Sequence, residues 1–184
     1  MQYENGIWIF GYGSLIWNPG FAFEAKQRAT LTGFARAFCL WSVHYRGNEA
    51  QPGLVLGLDP AEGVACEGVA YYVAPKNAEQ VHLYLREREL ISYAYHERLE
   101  ALKLADGQQV QALCYIVDPT HCQYAGGLSL TAQAQVISSA AGSAGPNLEY
   151  LHNTAEHLQA LGIDDPDMCR LVALANSLHF PNSD

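Results

Sequence analysis

The segment Phe10-Gly11-Tyr12-Gly13-Ser14-Leu15-Ile16-Trp17 gives the first indication of how this chain folds. The apolar run Ile7 to Phe10 predicts a β-strand. The two glycines after it predict a sharp turn, because glycine adopts backbone angles closed to other residues and lets a ligand approach the main chain. Consecutive backbone N–H groups at such a turn form a pocket for carboxylate or carbonyl oxygens. The segment therefore predicts a strand followed by an oxygen-binding turn.

A single glutamate far downstream, Glu89, is the candidate general base. It ends an apolar helical pattern in which Val81, Leu85 and Arg88 share its helix face, whereas Glu87 is expected in water. A carboxylate on the apolar side of a helix has a raised pKa, which suits general-base chemistry. The alternative interpretation is a solvated charged face, which is the usual role of such charge runs.

The composition predicts one compact acidic domain over residues 1–184. The chain has 184 residues, 49% of them hydrophobic and 16% charged, and a formal net charge of -9. This charge argues against nucleic acid and anionic membranes as partners, since both attract basic surfaces. We expect neither a signal peptide nor a membrane-spanning helix, because the N-terminus is neither basic nor followed by a long apolar core and no apolar run approaches about 20 residues. The five cysteines form no CxxC pair, so reduced thiols and a cytoplasmic location are expected.

The order of predicted elements indicates an α+β fold, with a mixed sheet curled into a small barrel, flanking helices and a helical C-terminal part. A hairpin turn at Asp106-Gly107 predicts that the helix-friendly segment before it is a strand. Asn147 is expected to cap a helix, and Asp59-Pro60 to separate two strands. Strands are predicted at 7–12, within 29–43, and at 53–58, 67–73, 95–104 and 110–117, and helices at 77–89, 130–141, 148–161 and 165–178.

The glycine-rich turn matches no nucleotide-binding or hydrolase motif. A dinucleotide fingerprint needs glycine where Ile16 stands, and a P-loop needs a Gly-Lys-Ser/Thr sequence that the chain lacks. Ser14 is not part of a Gly-x-Ser-x-Gly elbow motif, so it is a weak candidate nucleophile. The seven histidines are scattered without metal-ligand spacing, so no metal is expected. A purely structural strand-end turn remains an alternative on this motif alone.

Tyr150 is a candidate substrate-binding residue at the start of a predicted helix, in Gly145-Pro146-Asn147-Leu148-Glu149-Tyr150-Leu151. Its hydroxyl could hydrogen-bond a substrate carboxylate or carbonyl. A half-buried aromatic side chain, the usual fate of tyrosine, is the alternative.

These segments together resemble the ChaC family of glutathione-specific gamma-glutamylcyclotransferases, within the wider gamma-glutamylcyclotransferase-like fold. The resemblance extends roughly from Trp8 to Leu174. Five motifs support the resemblance, and together they are specific because they occur in the expected order. They are Phe10 to Trp17, Tyr45-Arg46-Gly47 with Pro52 to Leu58, Tyr84 to Glu89, Tyr124-Ala125-Gly126, and Gly145 to Leu151.

The resemblance implies one pocket in a small mixed barrel and assigns residues to it. Glu89 matches the catalytic glutamate and is the expected general base. The turn Tyr12 to Leu15 would hold the gamma-glutamyl group through its backbone. The implied substrate-binding residues are Ile9, Phe10, Gly11, Tyr12, Gly13, Ser14, Leu15 and Tyr150. The chain departs from the family pattern at Tyr93, where glycine is frequent, and at Ala144, where serine is frequent, and both positions bear on the pocket rim.

The implied function is a lyase that cleaves glutathione to 5-oxoproline and Cys-Gly without metal or cofactor. Its partner would be a small-molecule substrate, with no nucleic acid or membrane involved. Two alternatives stay open. The same cyclisation could act on other gamma-glutamyl peptides or amines, or the chain could be a non-catalytic module that binds a gamma-glutamyl metabolite.

Overall fold

The computed structural model of the protein describes residues 3–179 and confirms the predicted α+β fold with a closed barrel. These residues form two compact units, one made of 3–37 with 57–122 and one made of 38–56 with 123–179. The elements are, in chain order, β1 (Ile7–Gly11), a 3-10 helix (Ser14–Ile16), β2 (Ala25–Ser42), β3 (Gly53–Val73), α1 (Pro75–Glu89), β4 (Tyr95–Leu104), β5 (Gln109–Val117), α2 (Leu130–Ile137), β6 (Ala141–Gly142), β7 (Gly145–Pro146), α3 (Asn147–Ala160) and α4 (Pro166–His179).

The barrel closes in the order β1-β3-β2-β4-β5 and mixes both strand directions, as predicted. β1 pairs antiparallel with β3, from Ile7 opposite Val73, and parallel with β5, where Trp8 lies opposite Ala112. The short β1 is apolar on both faces, and four of its five residues are buried. This burial fits a strand whose two faces are both covered by other parts of the protein.

The β4–β5 hairpin confirms the strand assignment made from its turn rather than from its composition. Its register extends from Tyr95 opposite Val117 to Lys103 opposite Gln109. Gly107 supplies the left-handed turn residue with φ 89°. Tertiary pairing thus outweighs the helix propensity of the β4 sequence.

The prediction of two strands separated at Asp59-Pro60 is wrong. β3 continues from Gly53–Val73 through that dipeptide. Residues 60–65 of β3 are exposed or half-buried, and Pro60 is exposed. A proline is tolerated in such a place because its missing N–H costs a ladder bond only where a neighbouring strand would accept it.

The helix α1 follows β3 directly and carries the candidate base at its last position. It begins at Pro75, two residues earlier than predicted, where proline is favoured because the first-turn N–H groups have no helical acceptor. Its buried side chains are Ala78, Val81, His82 and Leu85. The predicted apolar face is therefore confirmed, with a histidine added to it.

The second unit contains the predicted C-terminal helices. Ser129 caps α2 by accepting a hydrogen bond from Ala132 N at 3.2 Å. α2 ends at Ile137, four residues before the predicted end. The start of α4 at Asp165-Pro166 is confirmed, since Asp165 Oδ1 accepts from Met168 N at 3.0 Å.

The prediction that Asn147 caps α3 is wrong. Pro146 occupies the cap position, and Asn147 is the first helical residue. Its fully buried side chain instead bonds the backbone of Leu54 twice, with Oδ1 2.6 Å from Leu54 N and Nδ2 2.7 Å from Leu54 O. A buried side-chain amide that bonds both the N–H and the C=O of one residue contributes more to stability here than a helix cap would.

Cys39, Cys66 and Cys114 are buried free thiols, whereas Cys122 and Cys169 are exposed ones. None of the helices within residues 3–179 is long and apolar enough to cross a membrane.

Candidate active site

The glycine turn after β1 forms a short 3-10 helix, Ser14–Ile16. Gly13 O accepts a hydrogen bond from Ile16 N, and Ser14 O accepts one from Asn18 N, each at 2.9 Å. Gly11 permits this close turn, because a Cβ at that position would lie 3.1 Å from Leu15 Cβ. The predicted sharp turn is therefore present at the predicted residues.

Side chains of the barrel hold the carbonyl oxygens of the turn. Arg36 Nε donates to Tyr12 O at 2.7 Å, and the Tyr71 hydroxyl donates to Leu15 O at 2.8 Å and to Ile16 O at 3.1 Å. Burial raises the pKa of Tyr71 to about 12, so its hydroxyl remains a donor at neutral pH.

The amides of this turn are left as donors. Among residues 3–179, the N–H groups of Gly13, Ser14 and Leu15 have no hydrogen-bond acceptor. Backbone N–H groups hold the carbonyls of Gly13 and Ser14, and the Tyr71 hydroxyl holds that of Leu15, so three successive amides are available to an oxygen atom of a ligand. Such an arrangement is typical of anion-binding backbone pockets.

The Glu89 carboxylate lies at the C-terminal end of α1 with a side chain 18% exposed. Burial raises its pKa, and Arg88, whose Nε is 3.2 Å from Glu89 Oε1, opposes that rise only in part. Glu87, two residues earlier, is exposed as predicted. Of these two glutamates, only Glu89 has the environment of a general base, because the penalty for its charged form increases its affinity for a proton.

Arg88 connects the base to the turn. Its Nη2 donates to Ser14 Oγ at 2.8 Å and its Nη1 donates to Asn18 O at 2.7 Å, while its Nε pairs with Glu89. This fork brings the predicted turn and the predicted base together within the first unit. The sequence prediction gave Arg88 no role beyond its place beside Glu89. The available signal was its position on the apolar face of α1, where a cation needs a buried acceptor.

The contacts of Ser14 do not support a nucleophile. The Oγ atom accepts from Arg88, and a guanidinium has no lone pair with which to take the serine proton. Within the described residues, no group of three or more His, Cys, Asp or Glu side chains is arranged to hold a metal ion.

The other predicted residues of β1 and the turn are buried. Ile9 and Phe10 have no exposed side-chain surface, and Tyr12 and Leu15 are 7% and 5% exposed. The Tyr12 hydroxyl donates to Tyr115 O at 3.0 Å. Ile9 and Phe10 are buried as whole residues, and their contact with a substrate stays a prediction.

Tyr150 lies on α3, in the second unit, and is 8% exposed. The Arg46 guanidinium lies over its ring, 5.4 Å from the centroid, and Phe38 packs edge-on at 5.8 Å. Arg46 also donates to Pro146 O at 3.0 Å. The aromatic side chain is thus rigidly held, and its contact with a substrate stays a prediction.

Tyr93 stands out in the segment that follows Glu89. It has φ 56°, a left-handed conformation that favours glycine, and its side chain is 77% exposed. The backbone at this position therefore keeps a conformation that suits the family's glycine, although the residue differs.

Known proteins resemble the chain over nearly its whole length. A family model described as ChaC-like protein matches residues 7–178. The glutathione-specific gamma-glutamylcyclotransferase of Escherichia coli is 37% identical over 182 residues, which cover 97% of this chain and 78% of that protein. The enzyme of the same name from Schizosaccharomyces pombe is 32% identical over 180 residues, with 90% and 89% coverage.

A solved structure confirms the fold. The crystal structure of a gamma-glutamyl cyclotransferase specific to glutathione from yeast superposes with a TM-score of 0.88 at 24% identity, covering 97% of this chain and 99% of that one. Since the family model extends from β1 to the last helix and the relatives exceed 30% identity over most of both sequences, the chain belongs to the ChaC family.

Proposed function

We propose that the protein is a gamma-glutamylcyclotransferase that cleaves glutathione to 5-oxoproline and Cys-Gly. Membership of the ChaC family and the names of its relatives support this reaction. The observation that carries the mechanism is a partly buried carboxylate, Glu89, tied through Arg88 to a turn with three available amides.

In the first step, Glu89 removes a proton from the α-ammonium group of the substrate. The freed amine attacks the γ-carbonyl carbon of the same molecule, and the C=O electron pair moves onto oxygen. Because both reacting groups belong to one chain, holding the substrate in a bent conformation supplies most of the proximity that the reaction needs. The amides of Gly13, Ser14 and Leu15 would stabilise the oxyanion.

In the second step, the carbonyl re-forms and the bond to the cysteine nitrogen breaks. Glu89 returns its proton to that leaving nitrogen. The attacking nitrogen loses one further proton to become the lactam N–H, and the released amine of Cys-Gly takes up one from solvent to become ammonium. The carboxylate is thus regenerated, and no water is consumed. A raised pKa suits both steps, because the group must accept a proton and later release it.

The substitution Glu89→Gln tests the proposed base. It keeps the size of the side chain and removes the ability to accept a proton. We expect turnover to fall roughly 100- to 10,000-fold, the usual contribution of a positioned general base. Glu87→Gln is the matched control, since this exposed glutamate lies two residues away on α1 and should leave activity unchanged.

Product analysis of both variants by mass spectrometry decides the outcome. A Glu89→Gln protein with near-normal activity would falsify the assignment of the base. Cleavage of other gamma-glutamyl peptides but not of glutathione would favour the wider substrate class. Saturable glutathione binding without product from the wild-type protein would favour a binding module. The predicted cytoplasmic location is tested separately by fractionating expressing cells.

A further inference from the structure

Arg36 of β2 binds the peptide group that leads into the available amides of the glycine turn. Its Nε donates to Tyr12 O at 2.7 Å, and its Nη2 donates to Glu67 O on β3. Nε and Nη2 form one edge of the planar guanidinium, so a single half-buried residue holds both carbonyls in a fixed geometry. Arg36 thus connects the start of the turn to two strands of the barrel.

The partners of Arg36 are themselves fixed in place. Gly68, next to Glu67, allows β3 to approach the end of β1, because a Cβ at Gly68 would lie 2.5 Å from Gly11 O. The Tyr12 hydroxyl donates to Tyr115 O at 3.0 Å, so the side chain of Tyr12 is held as well as its carbonyl. The hydrogen bond from Arg36 to Tyr12 O is therefore part of a rigid part of the first unit.

Tyr12 O belongs to the same peptide group as the Gly13 N–H. This peptide is trans, so its C=O and N–H point in opposite directions. A ligand oxygen bound by the Gly13 N–H therefore lies on the side of the peptide away from Arg36. A cationic donor at the carbonyl oxygen draws electron density from the nitrogen and makes the N–H a stronger donor, because the peptide bond is delocalised.

The peptide groups of the other two available amides lack such a cationic donor. The Ser14 N–H shares its peptide with Gly13 O, which accepts from Ile16 N, and the Leu15 N–H shares its peptide with Ser14 O, which accepts from Asn18 N, each at 2.9 Å. These donors are neutral backbone groups, and hydrogen bonds from charged donors are about twice as strong. The Gly13 N–H is therefore the most strongly polarised of the three.

We propose that Arg36 is a positioning residue that polarises the Tyr12–Gly13 peptide, so that the Gly13 N–H is the principal donor to the oxyanion. Negative charge develops on the γ-carbonyl oxygen when the amine attacks, so a stronger donor stabilises the transition state more than it stabilises the bound substrate. This role rests on the proposed function, since it adds a residue to that reaction. The polarisation of the peptide itself is measurable without substrate.

Two substitutions at Arg36 vary this polarisation. Arg36→Met removes the N–H donors and keeps an unbranched apolar stem, whereas Arg36→Lys keeps the charge but has a single ammonium group in place of the fork. Arg28→Met is the matched control. Arg28 also lies on β2 and also bonds Glu67, but through the carboxylate, at 2.7 Å, with both side chains 45% exposed. Its replacement changes the net charge by the same amount.

Selective isotope labelling makes the peptide visible by NMR. Tyr12-Gly13 is the one Tyr-Gly pair in the sequence. Protein labelled with carbonyl-¹³C tyrosine and ¹⁵N glycine therefore contains a single bonded ¹³C–¹⁵N pair. We expect both resonances of this pair to move to lower frequency in Arg36→Met, because the carbonyl loses its donor, and to move less in Arg36→Lys. They should keep their wild-type positions in Arg28→Met.

Steady-state kinetics with glutathione give the second measurement. We expect kcat to fall about 10-fold in Arg36→Met, the effect of about one hydrogen bond, and to fall less in Arg36→Lys. KM should stay within about 2-fold of the wild-type value, because the interaction that is weakened is made mainly in the transition state. Arg28→Met should leave both constants unchanged.

Unchanged resonances of the labelled peptide in Arg36→Met overturn the proposal. Shifted resonances with a wild-type kcat, or with a change in KM alone, also overturn it. If Arg36→Met does not fold, Arg36→Lys decides by the same two measurements. If the wild-type protein does not cleave glutathione, the proposed function fails and the oxyanion role of Gly13 fails with it, while the labelled peptide still shows whether Arg36 polarises it.

Discussion

At the scale of single residues, the candidate site pairs Glu89, the predicted base, with Arg88, for which no role was predicted. Glu89 was recognisable because helical spacing places it at the edge of an apolar stripe, and burial alone then raises its pKa. Arg88 lacked a predicted role because its hydrogen-bond acceptors, Ser14 Oγ and Asn18 O, lie about 70 positions earlier in the chain. Contacts so distant in sequence leave no local pattern.

The raised pKa of Glu89 predicts a cost in stability at neutral pH. The folded state holds this proton more tightly than the unfolded chain, so stability is lost as pH rises from the unfolded pKa through the folded pKa. Glu89→Gln should therefore unfold at a higher urea concentration than the wild type at neutral pH. The difference should vanish below about pH 4, where the carboxyl group is protonated in both states. Equal midpoints at both pH values would contradict the environment described for Glu89.

Asn147 shows why a local cap signal can mislead. Its sequence neighbours indicate a helix start, but its fully buried amide satisfies the N–H and C=O of Leu54 instead. Asn147→Ala leaves both of these groups unpaired and should destabilise the protein by on the order of 3 kcal/mol. Asn153→Ala on the same helix, where the side chain is half-buried, should cost less than about 1 kcal/mol. Urea unfolding of both variants checks the contrast.

At the scale of elements, the most informative contact is the one between the end of α1 and the glycine turn. The Arg88 fork bonds Ser14 and Asn18 while it pairs with Glu89. A lysine retains the charge but presents a single ammonium group that cannot make all three contacts. Arg88→Lys should therefore lower kcat/KM roughly 10- to 100-fold, since hydrogen bonds to charged groups contribute about 1.5–3 kcal/mol. Arg170→Lys on the exposed surface of α4 is the control, and steady-state kinetics give the result.

The prediction of elements succeeded where turn chemistry was decisive and failed where pairing overrides it. The Asp106-Gly107 turn correctly identified β4 as a strand despite its composition. In contrast, Asp59-Pro60 predicted a break that β3 does not have, because Pro60 lies on an exposed part of the strand. Turn residues indicate the conformation of the local backbone, whereas the continuity of a strand depends on pairing with strands that are distant in sequence.

At the scale of the whole molecule, the predicted single domain is tested by cooperativity. The boundary between the two compact units falls inside β2 and β3, so each strand is shared by both units. We expect one two-state unfolding transition, with equal calorimetric and van't Hoff enthalpies. Trp8 and Trp17 report on the first unit and Trp41 on the second. Single-tryptophan variants that unfold at different denaturant concentrations would show two domains instead.

The central claim is the cyclisation of glutathione, and mass spectrometry of its products tests this claim most directly. Purified wild-type protein, supplied with glutathione in the presence of ¹⁸O-labelled water, should form 5-oxoproline and Cys-Gly in equal amounts. Because the amine of the substrate is the nucleophile, early time points should show no ¹⁸O in the 5-oxoproline. Formation of labelled glutamate with Cys-Gly would identify hydrolysis by water and contradict the account.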